Sequence, residues 1–339
     1  MKKVRSVVTF GEIMLRLTPS QNHQRLVKTG ELILGYAGAE SNVAIAMAQW
    51  DHDISFVSQL PDNSLGDGAV NLMREFGIHT EHVIREGARI GIYFIENGAS
   101  IRPSKVLYDR DNSAIQNLKE GAIDWEKVLE GKHWIHLTGI TPALSTSCAN
   151  ETIKAAKVAK KLGVKVSFDL NFRRKLWQNR DAAREIFDQI LVNTDVLLAN
   201  EGSLKDVYDM ESSKTSGKER CEELMPLAQE KFGVDEVAFT IRKHTSASQN
   251  EWGGIIYDGT GFHYSNSFDL QIIDRFGGGD AFAAGLIHGY VKDWDFKKTI
   301  DFAVAASALQ QTMPGDLCLL SEAEVNTVVD GHISGHVER

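Results

Sequence analysis

The 339-residue chain is predicted to fold as a doubly wound, mostly parallel α/β sheet with helices on both faces, plus a small β-sheet lid. Two observations carry this expectation. Short β-rich runs alternate with amphipathic helical runs along most of the sequence, the rhythm of βαβ crossovers. Two β-like stretches break that rhythm and have no helix of their own to pair with.

The alternation is read in chain order. "VVTFGE" (7–12) is strand-like and "AESNVAIAMAQW" (39–50) helical; "ISFVSQL" (54–60) is a strand and 65–76 a helix. "WIHLTGI" (134–140) precedes a helix at about 145–162, and "VKVSFDLN" (164–171) precedes one at about 181–193. "DVLLAN" (195–200) is a further apolar strand, and 243–265 has the character of a β-hairpin. The exceptions, 13–38 and 89–110, would form the lid of a single domain spanning 1–339. Doubly wound sheets bind ligands where their strands end, which draws attention to Asp169, Asn171, Asn200 and Arg242.

Composition narrows the function. Apolar residues make up 42% of the chain, enough for a sizeable core, and the net charge is -9. That balance argues against nucleic acid or an anionic membrane surface as partner. No apolar run reaches the roughly 18 residues of a membrane span, and the N-terminus lacks the pattern of a signal peptide. Cys148, Cys221 and Cys318 are odd in number and widely spaced, which reads as reduced thiols in a cytoplasmic protein.

"DRFGGGDAFAAG" (274–285) places three glycines and an aspartate before a helical run. A glycine turn feeding a helix N-terminus gathers free N–H groups and the positive end of the helix dipole, a ready anion site. Asp280 falls in the first helical turn, placed to accept a hydroxyl proton there or simply to cap the helix. Neither a dinucleotide fingerprint nor a P-loop fits, since the run lies late in the chain and no GK[ST] follows.

That stretch resembles the C-terminal signature of PfkB-type sugar kinases of ribokinase-like fold, and "GYAGAESNVAIAMAQ" (35–49) resembles their N-terminal one, with Ala37 in place of its first glycine. Within the family the chain is most similar to 2-keto-3-deoxygluconate kinases. The similarity runs through "FGEIMLRLTP" (10–19), "LPDNSLGDGA" (60–69), "RPSKVLYDRDNSAI" (102–115), "DLNFRRKLW" (169–177), "TIRKHTSASQNEW" (240–252), "QQTMPGD" (310–316) and "SGHVER" (334–339).

The resemblance implies ATP-dependent phosphorylation of a keto sugar acid, with Asp280 as the base and Gly277, Gly278 and Gly279 as the anion hole. It places Gly38, Asn42, Tyr93, Tyr108, Arg110 and Arg173 on the substrate, with an arginine suited to fork a carboxylate. Asn200, Arg242, Gly277 and Gly279 fall to ATP, with Mg²⁺ held mostly by phosphates and water. Arg16, Arg102 and Arg174 read as structural or surface residues. One departure stands out: the family's N-x-x-E motif would put an acid at 203, where this chain has Ser203, with Glu201 nearby. Neighbouring substrates (2-keto-3-deoxygalactonate, fructose) and a weakly catalytic sugar-acid sensor are the alternatives, and a homodimer through the lid is expected. His133 and His136 read as core histidines. His332 and His336 have metal-compatible spacing but no third ligand.

Overall fold

The computed structural model describes residues 5–244 and 246–332. A large sheet forms the spine. In spatial order its path runs Phe262–Tyr264, Gln249–Tyr257, Glu236–His244, Val196–Ala199, Lys165–Asp169, Trp134–Thr138, Ser6–Phe10, Asp53–Leu60 and Val83–Arg85, with Phe268–Gln271 also paired to Gln249–Tyr257. From Glu236–His244 to Val83–Arg85 every neighbouring pair is parallel; beyond it the edge is antiparallel. The central strands are nearly continuous apolar runs because both faces are covered.

Helices Ala39–Gln49, Ser64–Glu75, Gly278–Val291 and Phe296–Gln310 bury one face, with Val7, Ile54, Phe56 and Leu198 beneath them. Helices Thr146–Leu162, Arg180–Leu191 and Gly217–Phe232 bury the other, over Val8, Val57, Val166 and Leu197. The alternation of Val7 and Val8 between the two layers is the period of two that a strand imposes. Helix boundaries follow local chemistry: Asn63, Ser145, Asn179 and Ser216 each accept a hydrogen bond from a first-turn N–H, which satisfies a donor the helix leaves free.

The strands expected at 13–38 and 89–110 form a separate sheet, in the order Leu32–Ala37, Met14–Pro19, Ile92–Glu96, Lys105–Asp109. Its central pair is parallel and its outer pairs antiparallel. Met14, Tyr93 and Tyr108 on one face look into a cleft at the carboxyl edge of the main sheet. On the other, Leu34, Leu17, Phe94 and Leu107 stand in register across all four strands.

One expectation is corrected at the far edge. Arg242, expected to follow its strand, lies within it, because the strand continues to His244 with Arg242 opposite Trp252. The antiparallel partner Gln249–Tyr257 supplies hydrogen bonds that carry the strand past the point where its parallel neighbour Val196–Ala199 stops.

Candidate active site

The cleft encloses about 890 Å³ and is lined by Gly38, Asn42, Tyr93, Tyr108, Arg110, Arg173, Asn200, Arg242, Gly277, Gly279 and Asp280. Those residues, scattered over most of the sequence, therefore meet on one surface. Gly278 is the exception, because it is buried behind that surface.

The three glycines turn out to have three different reasons. Gly277 is the helix N-cap at φ 75° with no side-chain cap bond, a left-handed conformation that favours glycine. A Cβ there would also lie 1.9 Å from the Asp316 carbonyl oxygen. Gly278 faces inward: its Cβ would stand 3.0 Å from Gln311 Cγ, and its carbonyl accepts a hydrogen bond from Ser307 Oγ at 2.6 Å. Gly279 has nothing within 4 Å of a Cβ and opens on the cleft, so the main chain at the positive end of the helix is accessible there.

Asp280 does not cap this helix, since the cap position is Gly277. Its Oδ2 instead accepts a hydrogen bond from Asn42 Nδ2 at 2.7 Å. The Asn42 amide is oriented in turn by the Gly38 N–H, which donates to Asn42 Oδ1 at 3.2 Å. Gly38 must lack a side chain because a Cβ would fall 1.9 Å from the Glu12 carbonyl oxygen. Desolvation pushes the Asp280 carboxyl up to about 8; the Asn42 hydrogen bond opposes this, and the charges of Asp316, Asp169 and Glu40 add to it. Asp169 and Asp316 are each pushed up to about 6, again chiefly by burial. Four acids thus crowd one low-dielectric floor, where a proton is easily held or released near neutral pH.

On the small-sheet side the residues arrive already engaged. Tyr93 donates its hydroxyl to Asp316 Oδ2 at 2.8 Å and stacks on Tyr108 with ring centroids 6.1 Å apart. Arg110 is buried, its Nη2 paired with Glu12 Oε2, while Ser113 Oγ donates to Glu12 Oε1 at 2.7 Å. Arg173 differs: it is exposed on the cleft wall, and its charge acts on Asp169.

At the opposite end Asn200 caps helix Glu201–Tyr208, accepting from the Ser203 N–H at 2.9 Å, while Ser203 Oγ closes the capping box. Glu201 is drawn onto Arg220 at 2.5 Å. Arg242 and Arg275 bring two like charges together, and burial and Arg275 both lower the Arg242 pKa. Sequence reasoning alone gives Glu12, Asp316 and Arg275 no role, although "FGE", "QQTMPGD" and "DRFGGGD" contain them. An acid at a strand's carboxyl end was the available signal for Glu12.

The remaining polar candidates are held by other protein groups. His136 Nδ1 lies 2.9 Å from Ser167 Oγ in the core, and burial lowers its pKa to about 3. His133 Nδ1 meets the Ser6 N–H at 3.2 Å. Arg16 forms buried ion pairs, Arg102 reaches Glu96 at 3.4 Å and Arg174 reaches Asp206 at 2.6 Å. His336 and "SGHVER" lie outside the described residues.

Comparison with known proteins fits this geometry. The chain is similar to a solved structure of 2-dehydro-3-deoxygluconokinase from Thermotoga maritima, with a TM-score of 0.94 and 41% identity, covering 97% of this chain and 99% of that one. It is 30% identical to a 2-dehydro-3-deoxygalactonokinase from Haloferax volcanii over 97% of its own length and 98% of the relative's. It is 26% identical to a 5-dehydro-2-deoxygluconokinase from Geobacillus kaustophilus over 98% and 96% respectively. The model of the pfkB family of carbohydrate kinases matches residues 4–318, and with the glycine turn, Asp280 and the sheet-edge cleft in place, the chain belongs to that family.

Proposed function

We propose that the chain phosphorylates 2-keto-3-deoxy-D-gluconate with ATP at the hydroxyl farthest from its acid group, giving the 6-phosphate. One observation carries this reading: Asp280, aimed by Asn42 and held near neutral pKa, stands at the head of the helix whose open end is Gly279. The hydroxyl oxygen bonds to the γ-phosphorus as the bond from that phosphorus to the β–γ bridging oxygen breaks, and Asp280 takes the hydroxyl proton. The N–H groups of the Gly277–Gly279 turn meet the charge on the transferred group.

The keto acid would lie under the small sheet, which acts as a lid, with Gly38, Asn42, Tyr93 and Tyr108 around it and its carboxylate on Arg173, backed by Arg110. The nucleotide phosphates would extend towards Asn200 and Arg242. Arginines and main-chain N–H groups at that end suit phosphate oxygens better than a bare cation, so Mg²⁺ would enter bound to those phosphates and to water. The buried, unpaired Cys148, Cys221 and Cys318 support a cytoplasmic setting.

The row Leu34, Leu17, Phe94 and Leu107 supports a dimer through the outer faces of two lids. Leu34 and Leu107 are 51% and 61% exposed, and an exposed apolar row on a sheet face suits a protein partner.

The test is ADP release across a panel of sugar acids and neutral sugars. The reading expects 2-keto-3-deoxygluconate to give the highest kcat/KM. The name of the Haloferax volcanii relative supports the galactonate epimer as the second reading, and a preference for it would replace the first. Equal turnover of neutral hexoses would remove the carboxylate from recognition, and no turnover at all would leave a sensor.

A further inference from the structure

Arg16 sits on strand Met14–Pro19 of the small sheet and is 8% exposed. Each nitrogen of its guanidinium is committed. Nε donates to Thr18 Oγ1 at 3.1 Å, Nη2 to Asp274 Oδ2 at 2.6 Å, and Nη1 to Asp316 Oδ1. The two carboxylates belong to different chain segments, and those segments meet at one place. Asp274 leads into the glycine turn and shapes it, accepting from the Phe276 N–H at 3.2 Å and the Gly315 N–H at 3.1 Å. Asp316 closes on the turn from the other side, its carbonyl occupying the space a Gly277 Cβ would need. The guanidinium carbon also stands 5.9 Å from the centre of the Phe276 ring.

The buried charge is therefore one cation between two carboxylates, a costly arrangement that simple stability does not favour over apolar packing. Its geometric result is specific: a residue of the small sheet grips both walls of the Gly277 turn. Tyr93, on the neighbouring strand, holds the second oxygen of Asp316.

We propose that Arg16 is a positioning residue for phosphoryl transfer, clamping Asp274 and Asp316 so that the glycine turn is in register with the substrate held beneath the small sheet. The inference rests on the kinase reading above. Arg16 touches neither reactant; it acts through the two aspartates.

The experiment uses the full chain and the best acceptor from the substrate panel, comparing wild type with Arg16→Ala, Arg16→Lys and Thr18→Val. Misplacement of about an ångström costs on the order of 10²-fold in rate, so kcat of Arg16→Ala should fall by about that factor with KM for ATP nearly constant. Added guanidinium should restore about tenfold of the loss, whereas methylammonium should not. Arg16→Lys should remain slow, since an ammonium keeps the charge but cannot fork two carboxylates. If Arg16→Ala does not fold, Thr18→Val decides, losing about threefold in kcat for one removed hydrogen bond. A folded Arg16→Ala with normal kcat, a loss that guanidinium leaves untouched, a fully active Arg16→Lys, or in its place an unaffected Thr18→Val, overturns the inference alone. A wild type that releases no ADP with any acceptor overturns the kinase reading and this inference with it.

Discussion

Asn42 and Asp280 are 238 positions apart in sequence and joined by a 2.7 Å hydrogen bond. The first residue belongs to the N-terminal glycine motif, the second to the C-terminal one, and the bond makes them a single device. Asn42 donates to the carboxylate and so favours its ionised form against desolvation and three neighbouring acids. Asn42→Ala should raise the Asp280 pKa above about 8. The acid limb of the kcat/KM profile then moves to higher pH, with activity at pH 7 falling about tenfold and recovering towards pH 9. A limb that stays in place would detach Asn42 from proton transfer.

Asp280→Asn removes the proposed base and should lower kcat by about 10²–10⁴-fold. Its effect on stability has a definite sign. The folded-state pKa of Asp280 lies above the ordinary carboxylate value, so the folded chain favours the protonated form and loses stability as pH rises through about 8. The asparagine variant escapes that loss. Its melting temperature should exceed that of wild type by a few degrees at pH 9, with the difference shrinking towards pH 5. Thermal melts across that range check it, and a variant that melts lower at pH 9 would give Asp280 a structural role.

The glycines should separate by position. Gly279→Val projects into open cleft and should cut kcat at nearly unchanged melting temperature. Gly278→Val drives into Gln311, so stability falls by about 1–3 kcal/mol, the ordinary cost of overpacking. Parallel melts and initial rates on the two variants distinguish blocked phosphate from displaced core.

Arginine substitutions should diverge in the same way. Arg173→Ala removes an exposed charge, and KM for the keto acid should rise by the equivalent of about 1.5–3 kcal/mol with ATP binding unchanged. Arg110→Ala strands the buried Glu12 and should cost about 3–5 kcal/mol of stability. Denaturation midpoints beside substrate titrations would show whether the two losses fall in different quantities.

Ser203→Glu supplies the acid that the resemblance implies at this position without dismantling the helix start, because glutamate also completes a capping box there. The expected outcome is a lower apparent Mg²⁺ requirement at constant sugar KM, read from metal titrations. Glu201→Ala gives the complementary measurement, since the Arg220 pair holds that acid away from an independent role.

Much of the fold was legible because its causes are local. Runs such as Val196–Ala199 are apolar throughout because helices cover both faces, and Ser145 and Asn179 announce the helices that follow. The small sheet could be recognised from strands lacking their helices. Arg16 could not, because "MLRLTP" looks like an amphipathic strand with an outward arginine and its partners lie 258 and 300 residues away. Three adjacent glycines likewise cannot reveal in sequence that one needs positive φ, one needs an empty interior and one needs an open front. Arg242 lay beyond reach for a related reason: the partner that prolongs its strand is set by tertiary pairing, not by local propensity.

The Arg16–Asp316 ion pair spans 300 residues, and that separation has a consequence for biosynthesis. A nascent chain emerging from the ribosome can wind its first βαβ units early, but it has no Asp316 for Arg16 to grip until 300 further residues have been made. The clamp on the glycine turn forms late relative to the first strands, because closing so long a loop precedes any reward from the contact. Copies that have not yet reached Asp316 therefore lack the ion pair that ties the small sheet to the glycine turn.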